Sequence, residues 1–160
     1  KNYDGKGEIK ATLGKHDVSL SFSFVGINKI YEPDFISEVN PVISKLGCNA
    51  GTCHGAKDGK NGFKLSLRGY DSLYDVRGFT DDMASRRVNI AAPERSLMLL
   101  KATGLVPHEG GQLTAEDSRY HRVIRSWIGS GAGLDTKAKR VKEIKMYPEN
   151  PVLHIISNNS

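Results

Sequence analysis

The sequence predicts a mainly α domain with long irregular loops and small β segments at both ends. Three observations lead there. Apolar residues recur at helical spacing in 34–47 and 115–129, a Gly-, Lys- and Asp-rich stretch over 55–80 separates them, and β-type patterning is confined to the two ends. The chain has 160 residues, of which 38% are hydrophobic and 26% charged, enough for one core without disulfide staples.

Residues 8–25 read as a hairpin. Glu8 to Leu13 leads into a turn at Gly14-Lys15-His16-Asp17, after which Val18, Leu20, Phe22 and Phe24 alternate with serines, the mark of a half-buried antiparallel strand. A lone hairpin is marginal, so this one is expected to pack on the remaining chain or to be the last piece of a β-sandwich. Gly26 to Pro33 is a linker. From Asp34, the residues Ile36, Val39, Ile43 and Leu46 share a helical face that stops at Gly47; Pro41 predicts a kink or a helix beginning there. Phe63 to Arg68 is strand-like inside the polar loop, and Ser96 is placed to cap a short helix carrying Leu97 to Leu100.

The clearest helix is 115–129. Thr114 with Asp117 resembles a capping box, and Tyr120, Val123, Ile124, Trp127 and Ile128 form one apolar stripe before Gly129 and Gly131. Beyond it, Val141, Ile144, Met146 and Tyr147 predict a β-strand ahead of Pro148 and Pro151. This divides the chain into 1–33, 34–132 and 133–160.

The net charge of +5 includes no run of five like charges, so it does not by itself indicate nucleic acid and suits an acidic partner equally well. No stretch of 18 apolar residues occurs, and Lys1-Asn2-Tyr3-Asp4 does not begin a charged-then-apolar leader, so neither a membrane span nor a signal peptide is expected in this stretch.

Chemistry concentrates at Cys48-Asn49-Ala50-Gly51-Thr52-Cys53-His54. Only two cysteines occur, close together and next to a histidine, an arrangement that binds something more often than it staples a fold. It has the logic of haem c attachment, in which two thiols add to porphyrin vinyl groups and the following histidine reaches the iron. The usual spacing is two residues between cysteines. Here it is four, and Asn49, Ala50, Gly51 and Thr52 are small or turn-tolerant enough for the wider loop. Two alternatives compete: a local disulfide, which leaves His54 without a purpose, and a zinc site using both thiolates, His54 and a distant histidine. A helix leading into the motif and an aromatic-striped helix near the end are what a class I cytochrome c-like haem domain needs to close its fold.

The run from Asn40 to Gly55, followed by Gly62-Phe63-Lys64-Leu65-Ser66-Leu67-Arg68-Gly69-Tyr70-Asp71, closely resembles the planctomycete-type cytochrome c domain. The match continues through Ser96 to Gly104 and ends at Trp127-Ile128 and Gly131-Ala132, covering residues 34–132. The ends resemble pieces of bacterial immunoglobulin-like domains: 8–25 a closing hairpin, 139–160 an opening strand. The resemblance implies one covalent haem c and export to the periplasm or cell surface, inside a longer protein; the partner would be another redox protein.

A class I geometry takes its distal iron ligand from the loop between the motif and the last helix, where Met83, Met98 and His108 are candidates. Met83 sits in a polar stretch, and Met98 lies among leucines that suit core packing. His108 sits between Pro107 and Glu109-Gly110-Gly111, a rigid then permissive loop. Related domains commonly place a methionine beside proline here, so His108 resembles a ligand swap, giving a bis-histidine iron with Met98 as the alternative.

Lys57, Lys60, Lys64 and Arg68 flank the motif as candidates for haem propionates or an acidic partner, with Arg68 chosen among them. His16 and His154 read as solvated, and His121 as a surface or helix-rim residue. Asp81, Asp82, Glu116 and Asp117 form no acid–base pair, so no enzymatic activity is expected. The function expected is electron transfer; the rivals are a haem-based gas or small-molecule sensor and a non-haem adhesion or carbohydrate-binding module.

Overall fold

Among the described residues, two antiparallel strands and four short α-helices make up most of the regular structure. The computed structural model describes residues 4–138 and 140–147. Strands β1 (Gly5–Leu13) and β2 (His16–Phe24) pair from Gly5 opposite Phe24 to Leu13 opposite His16. The turn is thus the two residues Gly14 and Lys15, with Gly14 at φ 61°, where a glycine carries no side-chain penalty. That register puts Val18, Leu20, Phe22 and Phe24 opposite Ala11, Ile9, Gly7 and Gly5 on one face, with serines and charges on the other. The apolar face is not covered. Val18 is 69% exposed and Leu20 65%, and no hairpin residue joins the core cluster, contrary to the expected packing on the remaining chain.

The next segment winds as a wide π-type turn over Phe35–Val39 and runs directly into α1 (Asn40–Lys45). Pro41 is the cause. It has no N–H to give, and the N–H of Asn40 reaches back to the Phe35 carbonyl, so the chain stays helical by widening its turn instead of breaking. Asp34 caps the start, accepting from the Ser37 amide at 2.7 Å.

Helix α2 (Ser72–Thr80) begins at Asp71, whose side chain accepts from the Tyr74 amide at 3.0 Å. Helix α3 (Leu97–Thr103) follows Ser96, which does not cap it: the Ser96 hydroxyl accepts from the Asn89 amide instead, at 2.9 Å. Helix α4 (Arg119–Gly129) starts later than the sequence pattern suggests, with Ser118 as its cap, accepting from the His121 amide at 3.1 Å. The predicted stripe holds: Val123, Ile124, Trp127 and Ile128 are buried. They meet Phe35, Val39 and Ile43, and the Phe35 and Trp127 rings pack at a tilt of 46° with centres 5.1 Å apart.

Several expectations are corrected. The described residues are 31% helical and 14% strand, a small α/β protein, so the mainly α, class I cytochrome c-like fold class is not what forms. The helices are short because loops held by turn hydrogen bonds take up 46–71, 81–96 and 104–118, the first of them rich in glycine. The strand-like run 63–68 is no strand either, apart from one bridge between Lys60 and Phe63; it lies along the loop at 48–54, with Leu65 donating to the His54 carbonyl and Arg68 to that of Asn49. Residues 140–147 form no strand. Among the described residues Val141, Ile144, Met146 and Tyr147 have no neighbouring strand to bond with, and they are exposed. The remainder of that predicted tail, 148–160 with His154, lies outside the described residues.

Among the described residues no helix is long and apolar enough to cross a membrane.

Candidate functional site

Gly47, at φ 81°, ends the helical run that α1 begins and turns the chain into a compact loop. The loop is closed by its own backbone: Cys48 donates to the Ile43 carbonyl at 3.1 Å, Cys53 to Ala50 at 2.9 Å, and His54 to Cys48 at 3.0 Å. Asn49 is fully buried beneath it and donates its amide to the Ser44 hydroxyl at 2.8 Å. At Gly55 the approach is so close that a Cβ would collide with the Asn49 carbonyl, which makes glycine a steric requirement there. Four residues between the cysteines thus fold into a defined turn.

This loop forms one wall of a cavity of about 530 Å³. Ile43, Leu46, Phe79, Leu97, Met98 and Ile124 supply apolar wall, and Cys48, Cys53, His54 and His108 all line it. Both cysteines are free thiols, half-buried. Burial pushes the Cys48 thiol up to about 11, with the neighbouring Cys53 adding to the effect, so Cys48 is a neutral S–H at physiological pH.

The two histidines are held alike. The Nδ1 of His54 lies 3.1 Å from the Phe63 carbonyl oxygen, and the Nδ1 of His108 lies 3.1 Å from that of Gly111. Each ring can therefore donate Nδ1–H to backbone and keep Nε2 as a free lone pair, the arrangement that orients ligating imidazoles. Their ring centres are 6.4 Å apart and their planes within 13° of parallel. Burial holds His54 below the usual histidine range; the Phe63 carbonyl opposes this, while His108, Arg87 and Lys60 reinforce it. A neutral imidazole is the form that binds metal.

Phe63 underlies the His54 position. It ends a tight turn in which Lys60 and Phe63 exchange two 2.9 Å backbone hydrogen bonds across Asn61 (φ 50°) and Gly62 (φ 71°). Its ring sits 4.6 Å from the His54 ring centre.

Of the residues singled out in the sequence, Cys48, Cys53, His54, His108, Met98 and Met83 meet at this cavity. Arg68 does not: it is exposed, outside the cavity wall, and its backbone sits at φ 57°. Lys57 and Lys64 do not line the wall either, the Lys64 ammonium donating to the Lys57 carbonyl. Lys60 does, paired to Glu109 at 3.1 Å. Sequence reasoning missed Arg86, Arg87 and Lys101, the other cations on this wall. Nothing in a lone Arg86-Arg87 pair distinguishes it from a solvated one. His121 is also corrected: it is buried, and its Nδ1 accepts from the Asp117 amide at 3.3 Å, beside a second hollow of about 400 Å³ that Glu94 and Arg125 also line.

Comparison of the chain with protein-family models, with curated proteins and with solved structures finds no match.

Proposed function

We propose that this chain is a haem c-binding electron-transfer domain of a larger exported protein, held through Cys48 and Cys53 and ligated by His54 and His108. The observation that carries this reading is the histidine pair. Two imidazoles bound to one metal at about 2 Å each bring their ring centres roughly 6 Å apart, close to the 6.4 Å between His54 and His108. Both Nδ1 atoms are already engaged by backbone carbonyls.

The surroundings fit a porphyrin better than a bare ion. Among the described residues no three His, Cys, Asp or Glu side chains stand together as a metal site, whereas zinc needs four donors and a macrocycle supplies four of the iron ligands itself. The cavity volume lies within the range of small-molecule and cofactor sites. Cys48 and Cys53 would hold the porphyrin as thioethers, each S–H adding across one vinyl group, an attachment that would need neither an oxidant nor a leaving group. Bound there, the haem supplies one-electron chemistry, and the protein contributes orientation, exclusion of water and local charge. His108 on the wall supports a closed axial pair over the open sixth position that a gas sensor requires.

By this reading the domain works in the periplasm or at the cell surface with a redox protein as partner, and it catalyses no reaction of its own. The test is expression with a haem c maturation system, followed by denaturing mass spectrometry and a visible spectrum with and without carbon monoxide. A covalent haem adduct with a low-spin spectrum insensitive to carbon monoxide is expected. A protein weighing only its polypeptide mass would refute the proposal.

A further inference from the structure

Close to His54, on the same cavity wall, stands a buried cation. The Arg87 guanidinium lies 4.1 Å over the centre of the Phe63 ring, and the Phe63 ring centre lies 4.6 Å from that of His54, so Phe63 is a shared neighbour of the two. Arg87 is only 7% exposed. Its fork is fixed by donation to the Gly78 carbonyl at 3.0 Å and the Gly62 carbonyl at 3.4 Å, and the carboxylate nearest to it is that of Asp82, at 3.8 Å and largely in solvent. Phe63 also provides the carbonyl that receives His54 Nδ1. One residue therefore both orients the imidazole and carries a permanent charge against its ring.

We infer that the buried charge of Arg87, acting across Phe63 and His54 without touching the iron, raises the reduction potential of the haem iron. The inference rests on the haem reading above. A guanidinium cannot deprotonate in a protein, so its charge is constant, and because it is buried that charge is poorly screened. A nearby positive charge favours the iron state with one positive charge fewer, the ferrous one. Asp82 opposes this from the solvent side, and Lys60, on the same wall but paired to Glu109, adds little. For a charge on the order of 10 Å from the iron and an effective dielectric constant of about 20, the oxidised-to-reduced ratio shifts roughly tenfold.

The experiment is a redox titration of haem-loaded wild type, Arg87→Met, Arg87→Lys and Asp82→Asn, with visible spectra recorded throughout. Arg87→Met should lower the potential by about 59 mV, the equivalent of tenfold for one electron. Arg87→Lys should keep most of the wild-type value, and Asp82→Asn, at an exposed position, should raise it. If Arg87→Met fails to fold, Arg87→Lys and Asp82→Asn decide. Unchanged potentials with intact low-spin spectra would overturn the inference and leave the haem reading standing, as would a fall in Arg87→Lys as large as in Arg87→Met, which marks a loss of geometry and not of charge. Wild type without covalent haem overturns both.

Discussion

His54 and His108 are 54 residues apart in the chain, yet their imidazole rings stand 6.4 Å apart and within 13° of parallel across one cavity. Neither ring is free to turn. A backbone carbonyl holds each Nδ1 at 3.1 Å, so the orientation of both imidazoles is set by the polypeptide itself.

His108→Ala removes one of these imidazoles and should convert a low-spin bis-histidine spectrum into a high-spin one, or into one with a methionine band in the red if Met98 takes the place. Met98 is the replacement donor because it lines the same cavity while packed against the core. Thioether ligation raises the potential relative to imidazole, so a methionine-ligated variant should also titrate at a higher potential than wild type. An unchanged low-spin spectrum would rule out His108.

The two cysteines should behave as separate anchors. Cys48→Ala or Cys53→Ala leaves one thioether, and the protein should either retain haem through one link or release it on denaturation. Cys48 is pushed up to about 11 by burial, whereas the more reactive form of any thiol is the thiolate. With a limiting supply of haem, single-link adducts of wild type should therefore form at Cys53 first. Peptide mapping by mass spectrometry locates the link, and a preference for Cys48 would contradict this order.

How much of this was legible in the sequence depends on which groups carry the pattern. The hairpin and α4 were legible because their apolar residues repeat at periods of two and about 3.6, and the loop at 48–54 because thiols and imidazole are rare, directional groups. Helix α2 was not legible, since its buried face contains Asp75 while Leu73 and Tyr74 on it are 50% and 43% exposed, inverting the usual signal. The tail failed for the opposite reason: Val141 and Ile144 have strand-like side chains, but a strand exists only through a neighbour. Arg87 could not have been found from the sequence, because its importance lies in the ring of Phe63, which is 24 residues earlier in the chain.

The hairpin gives a stability prediction. Because β1 and β2 contribute no residue to the buried core, deleting residues 1–25 should leave the melting temperature of the remaining chain unchanged. It should also reduce the binding of a hydrophobic dye, since an uncovered face carrying Val18, Leu20 and Phe24 is removed. Scanning calorimetry on the two lengths decides, and a marked fall in melting temperature on deletion would mean that the hairpin packs after all.

The last prediction concerns Asp75, whose side chain is only 2% exposed within α2. It accepts from the Ser66 amide at 2.5 Å and the Ser66 hydroxyl at 2.7 Å, tying the helix to the segment that runs along the cysteine loop. Burial nevertheless raises its pKa above the ordinary 3.8, outweighing the two Ser66 hydrogen bonds, and the nearby Asp71 adds to the rise. The sign follows from which state holds the proton more tightly. Below 3.8 the carboxyl is protonated in both the folded and unfolded chain, and the folded state has its full advantage from binding that proton. As pH rises through the folded-state pKa the buried group must ionise, and the advantage disappears. Asp75→Asn has no proton to lose. The difference in melting temperature between wild type and Asp75→Asn should therefore shift against wild type as pH climbs from below 3.8 towards neutrality, with the other carboxylates cancelling in the comparison. A pH-independent difference would show that Asp75 is no harder to ionise in the folded protein than in the unfolded chain.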